Sequence, residues 1–134
     1  MLRSLTAVSL LLCIAGFVAA MEEESPRGHL VLNGGGSKPD AVMEKFIELA
    51  GGTEARIVVF PTASNESDTG EYYQDLFAGY GSKNVAVAEV HSKADAADPD
   101  LAELVAEADG IWFSGGDQRR ITEALLGTPV GEAM

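Results

Sequence analysis

The run Arg56-Ile57-Val58-Val59-Phe60, closed by Pro61, limits the fold of this chain more than any other stretch. Past Arg56 it holds no polar residue and three β-branched ones, so it does not alternate as a strand with one wet face would. A continuous run of this kind describes a strand covered on both faces, with parallel neighbours reached through helical crossovers. The rest of the chain supplies the neighbours. His29 to Leu32 reads as a first strand stopping at Asn33-Gly34-Gly35-Gly36, Val85 to Val90 as a third and Ile111 to Phe113 as a fourth.

Helical patterns separate these runs. Val42, Met43, Phe46, Ile47, Leu49 and Ala50 form one apolar stripe, which Ser37 and Asp40 open as a capping pair and Gly51-Gly52 closes. Tyr73, Leu76, Phe77 and Tyr80 form a second stripe behind the pair Asp68 and Glu71, with Gly79 and Gly81 at its end. Leu101, Leu104, Val105 and Ala108 follow Asp98-Pro99, a cap before proline at the first helical position. Gln118 to Leu126 is the fourth helix, closed by Gly127. Strands and helices alternating at this spacing predict an α/β fold with a doubly wound parallel sheet. Thr128-Pro129 starts another helix that Met134 leaves in its second turn, so the expected chain is incomplete at its C-terminus. The strand missing there would leave an apolar sheet edge, with homo-oligomers as one way to cover it.

Residues 1–20 read as a signal peptide. Arg3 gives a positive start, Leu5 to Ala20 is apolar, and Val18-Ala19-Ala20 offers small residues for cleavage. Residues 21–27, with Glu22-Glu23-Glu24 and Ser25-Pro26, read as an acidic linker, and residues 28–134 as the folded part. The expected location is secreted or periplasmic. The single cysteine, Cys13, falls in the leader, so an exported form would depend on its packed core rather than on disulfides. Nine Lys and Arg, one of them Arg3, stand against twenty-one Asp and Glu, a balance that disfavours nucleic acid and anionic membranes as partners.

Candidate chemistry gathers at Ile111-Trp112-Phe113-Ser114-Gly115-Gly116-Asp117-Gln118, where an apolar strand meets a helix start through two glycines. Amide N–H groups and the positive end of a helix dipole converge at such a junction. Asp117 reads either as the helix cap or as a site residue. Ser114 lacks the flanking glycines of a nucleophile elbow, and Trp112 and Phe113 read as core. Gly34-Gly35-Gly36-Ser37-Lys38 matches neither a nucleoside-triphosphate loop nor G-x-G-x-x-G, so no cofactor is expected. His29 and His91 are far apart in sequence and have no cysteine or histidine at ligand spacing, so no metal is expected; His91, at a strand's carboxyl end, is a peripheral site candidate.

Gly34-Gly35-Gly36, Ile57-Val58-Val59-Phe60-Pro61-Thr62-Ala63-Ser64 and Trp112-Phe113-Ser114-Gly115-Gly116-Asp117-Gln118 together resemble the cyanophycinase family of serine peptidases, relatives of aspartyl dipeptidase. The resemblance implies a flavodoxin-like, class I glutamine amidotransferase-like fold. It also implies an enzyme that hydrolyses peptide bonds next to aspartyl residues, with a cyanophycin-like polymer of β-aspartyl-arginine units as substrate. It places an oxyanion-hole N–H on the catalytic Gly116 and substrate contacts on Asp117 and Gln118. The family's nucleophile sits in a Gly-Thr-Ser-Ala-Gly elbow on a later strand, which this sequence does not contain, so the chain by itself is expected to be inactive. The alternative is a non-catalytic flavodoxin-like module that uses its glycine turns to bind a small anionic ligand.

Overall fold

The computed structural model of the chain describes residues 28–34 and 36–134. The expected signal peptide, the acidic linker and Gly35 of the first glycine turn lie outside the described residues. In chain order the elements are α1 (Asp40–Ala50), β1 (Arg56–Phe60), α2 (Thr69–Gly79), β2 (Asn84–Val87), a 3-10 turn (Asp95–Ala97), α3 (Pro99–Ala106), β3 (Gly110–Phe113), α4 (Gln118–Leu125) and α5 (Pro129–Glu132).

The apolar run takes the central position it demands. β1 pairs in parallel with β2 on one side, Ile57 facing Val85, and with β3 on the other, Phe60 facing Phe113, giving the order β2-β1-β3. Its side chains alternate between two cores. Ile57 and Val59 pack with Met43 and Ile47 of α1, Tyr73 and Phe77 of α2, and Trp112 of β3. Val58 and Phe60 pack with Val105 of α3, Ala124 and Leu125 of α4, and Val130 of α5. Helices on both faces make the sheet doubly wound, and each face needs the apolar residues that a one-sided strand would have exposed.

The caps hold in part. Asp98 accepts from the Asp100 N–H at 2.9 Å with Pro99 at the first helical position. The Thr128 hydroxyl accepts from the Gly131 N–H at 3.2 Å and donates to the Leu125 carbonyl at 2.7 Å, so it ties α5 to the end of α4. Gly51 ends α1 at φ 117°, and the Gly52 N–H reaches the Ile47 carbonyl at 2.8 Å.

Four expectations are corrected. His29 to Leu32 forms no strand: Leu30 and Leu32 are each 82% exposed, and the segment has no ladder bonds among the described residues. Three or four apolar residues specify a strand only where a partner takes up their N–H and C=O groups. The expected pair Ser37 and Asp40 does not cap α1; Pro39 occupies that position, and its carbonyl accepts from Val42 and Met43. Asp68 sits at the cap position of α2 without a side-chain cap bond to it or to Glu71. The third strand is also shorter than Val85 to Val90. The Ala88 N–H still reaches the Val59 carbonyl at 2.9 Å, but β1 then continues into Pro61, which has no N–H to extend the ladder, and the chain turns away.

Candidate active site

The carboxyl ends of β1 and β3 lie side by side, so the loops leaving them, Pro61 to Ser64 and Ser114 to Gln118, meet. Main-chain bonds join them in sequence. The Ser114 N–H donates to the Phe60 carbonyl at 3.0 Å, and the Asp117 N–H donates to the Ala63 carbonyl at 3.0 Å. From α4 the Arg120 guanidinium adds a bond to the Ser64 carbonyl at 3.0 Å.

Gly116 lies at the closest point of this clasp. Its φ is 146°, and a Cβ placed on it would stand 2.0 Å from the Ala63 oxygen and 2.4 Å from the Ala63 carbonyl carbon. Both the backbone angle and the missing space exclude other residues. Among the described residues the Gly116 N–H donates to no acceptor. Gly116 lines, with the first turn of α4, a cleft of about 710 Å³ between Ala63 to Glu66 and Gly115 to Arg119. An unengaged N–H held by fixed main chain at a helix start can meet negative charge without rearranging.

Asp117 proves to be the cap of α4. Its carboxylate accepts from the Arg119 N–H at 3.0 Å and from the Arg119 guanidinium at 2.6 Å. The Arg119 side chain and N–H together hold this carboxyl down at about 2. A value below the ordinary 3.8 means that the ionised form favours the folded state, a contribution complete above about pH 4 and lost as pH falls through about 2. Asp117→Ala is expected to lower the melting temperature at pH 6 and to flatten its dependence on pH between about 4 and 2; an unchanged acid limb would remove the cap from this account.

Gln118 is exposed beside the same cleft, so the structure brings together Gly116, Asp117 and Gln118 as the sequence suggests. Ser114 is 5% exposed with no partner for its Oγ among the described residues, unlike the presented serine of an elbow. His91 is exposed on the far side of β1, its Nε2 3.0 Å from the Glu89 carboxylate, and His29 lies in the segment before the first glycine turn, outside the sheet. His91 does not join the glycine turn, whereas His29 shares with it the lining of a larger cavity.

The sequence reading missed the acceptors. Ala63 and Ser64 contribute through their carbonyls, which carry no residue signature, and Arg120 is one of several exposed charges. It also missed Lys38, whose Nζ lies 5.1 Å from the ring centres of both Tyr72 and Tyr73. The apolar spacing of α2 marked Tyr73 as core, and Tyr72 is half exposed beside it.

Comparison with known proteins agrees with this geometry. Peptidase family S51 matches the sequence over residues 30–134. The chain belongs to that family. The cyanophycinase of Geminocystis herdmanii (strain PCC 6308) is 35% identical over 92 residues, covering 68% of this chain and 34% of that protein. The cyanophycinase of Synechococcus elongatus is 37% identical over 90 residues, covering 66% of this chain and 28% of that protein. The crystal structure of a peptidase from an acI-B1 Actinobacterium superposes with a TM-score of 0.57 at 27% identity, over 69% of this chain and 41% of the other. The chain thus spans about a third of the length of the curated relatives it matches. Membership of family S51 makes it a peptidase-family chain with cyanophycinase relatives and favours that reading over a ligand-binding module.

Proposed function

We propose that this chain is the amino-terminal part of an exported serine-type peptidase that hydrolyses β-aspartyl-arginine peptide material, a cyanophycin-like polymer. The observation that carries the reading is the unengaged N–H of Gly116, a residue packed against the Ala63 carbonyl where it lines the cleft. When a nucleophile adds to a peptide carbonyl, the oxygen takes up negative charge, and a donor already in position stabilises it most where that charge is largest. Gly116 supplies that donor, Gln118 holds the substrate backbone, and Asp117 keeps the turn in shape through its cap.

The attacking serine, its base and its acid are assigned to sequence beyond this chain. No Gly-x-Ser-x-Gly occurs within it, and its cyanophycinase relatives are at least about twice as long. Residues 1–134 alone are accordingly expected to bind without turnover, since an oxyanion site without nucleophile and base retains only a residual effect. Export follows from the charge, apolar length and small-residue end of residues 1–20.

The test is to express the full-length gene with its leader, take the intact mass of the material outside the cytoplasm, and assay it on β-aspartyl-arginine polymer beside residues 21–134. Release of arginine-containing products by the full-length protein alone, with the leader missing from its mass, is the expected result. Turnover by residues 21–134, or none by the full-length protein, would overturn the assignment of roles.

A further inference from the structure

A second cavity, of about 1160 Å³, runs along the open side of β3 and reaches Gly116. Its wall includes Ser64, Thr69, Tyr72, Tyr73 and the half-buried Lys38. Two other ionisable side chains line it. Asp109 stands at the amino end of β3 and is compensated: its carboxylate accepts from the Arg56 N–H at 2.8 Å and from the Arg56 side chain at 3.4 Å. His29 lies in the segment before the first glycine turn. Lys38 differs from Asp109. Among the described residues it forms no ion pair, and the groups that hold it are the two tyrosine rings, each 5.1 Å from Nζ. Ring faces position an ammonium without cancelling its charge, so its donors remain open to an anion. Tyr72 and Tyr73 belong to the first turns of α2, which leaves the same carboxyl edge of the sheet as the glycine turn.

On the reading of Gly116 as the oxyanion donor, we infer that Lys38 is the residue that selects for a substrate carboxylate close to the scissile amide. A β-aspartyl-arginine unit has such a group. Arginine joined through its α-amino nitrogen to the aspartyl side chain keeps its own α-carboxylate free, and that anion has to be desolvated when the unit enters the cavity. In this strongly acidic protein, with its formal net charge of −12, an uncompensated cation beside the site offsets a field that would otherwise repel the carboxylate. The tyrosine rings restrict the ammonium to one place, so less ordering is needed at binding.

The experiment compares two substrates on the full-length protein: a β-aspartyl-arginine peptide and its arginine carboxamide, which lacks the anion and is otherwise matched. The unmodified protein is expected to show a KM about ten- to a hundredfold lower for the carboxylate, the usual worth of a hydrogen-bonded charge. Lys38→Ala should bring the two KM values together while leaving kcat on the carboxamide nearly unchanged, and Lys38→Arg should restore most of the preference. Should Lys38→Ala fail to fold, Lys38→Gln keeps the stem over the rings and removes only the charge. Undiminished preference in a folded Lys38→Ala or Lys38→Gln protein overturns the inference while the oxyanion reading stands. Absence of hydrolysis of either substrate by the unmodified protein overturns both.

Discussion

Gly116→Ala in the full-length protein is expected to lower kcat by about two to three orders of magnitude while changing KM little. The added methyl would stand 2.0 Å from the Ala63 carbonyl oxygen, so the turn or the loop facing it has to move, and the N–H moves with them. A donor that acts on charge present only at the transition state shows its displacement in turnover rather than in binding. The collision falls on backbone and φ is 146°, so the same change should also cost about 1–3 kcal/mol of stability. Kinetics therefore have to be measured below the variant's own melting transition. Gln118→Ala is the contrast: its side chain is exposed and forms no hydrogen bond among the described residues, and its loss should raise KM with kcat nearly kept. A folded Gly116→Ala protein with normal turnover would leave this turn a purely structural one.

The largest stability effect is expected at Phe77→Ala, at about 3–5 kcal/mol. Phe77 has no exposed surface, and its ring meets Trp112 edge-on at 5.5 Å and Phe46 at 5.7 Å, in the core that fastens α1 and α2 to β1. Truncation removes the transfer energy of the ring and leaves a hole bounded by two aromatic residues and two helices, which cannot all close on it. Trp112 is the only tryptophan, so its fluorescence reports the transition directly. A urea midpoint lowered without a change of slope is the predicted signature, and a loss under about 1 kcal/mol would mean that this face is far less tightly packed than described.

Those features that are local in sequence were legible before the fold. Ile57 to Phe60 announced a central parallel strand because both faces needed cover, and the two cores divide its residues alternately. Asp98, Asp117 and Thr128 announced helix starts because a short oxygen-bearing side chain meets the free N–H groups of the next turn. Features that depend on distant partners were not legible. His29 to Leu32 looks no less apolar than Ile111 to Phe113, yet only the latter finds a neighbouring strand among the described residues. Ser37 satisfies the spacing of a cap, but Pro39 fixes its own φ at −60° and takes the position nearer the helix. At the candidate site the sequence identified Gly116 by its setting, whereas the reason no other residue fits there, the Ala63 carbonyl, lies on another strand's loop.

The clasp between the two loops also has a temporal side. Its bonds join Asp117 to Ala63 and Arg120 to Ser64, the latter across 56 positions of chain, and the elements between them include both crossovers of the three-stranded sheet. Contacts so remote in sequence form late, because the closure entropy of the intervening loop is spent before they return anything. A chain emerging from synthesis thus carries Gly115-Gly116 as a slack linker, able to take up many shapes and to offer none of them to a carbonyl oxygen. The proposed oxyanion-binding turn comes into being only when β1 and β3 have paired, which makes it a marker of completed folding rather than an early local motif.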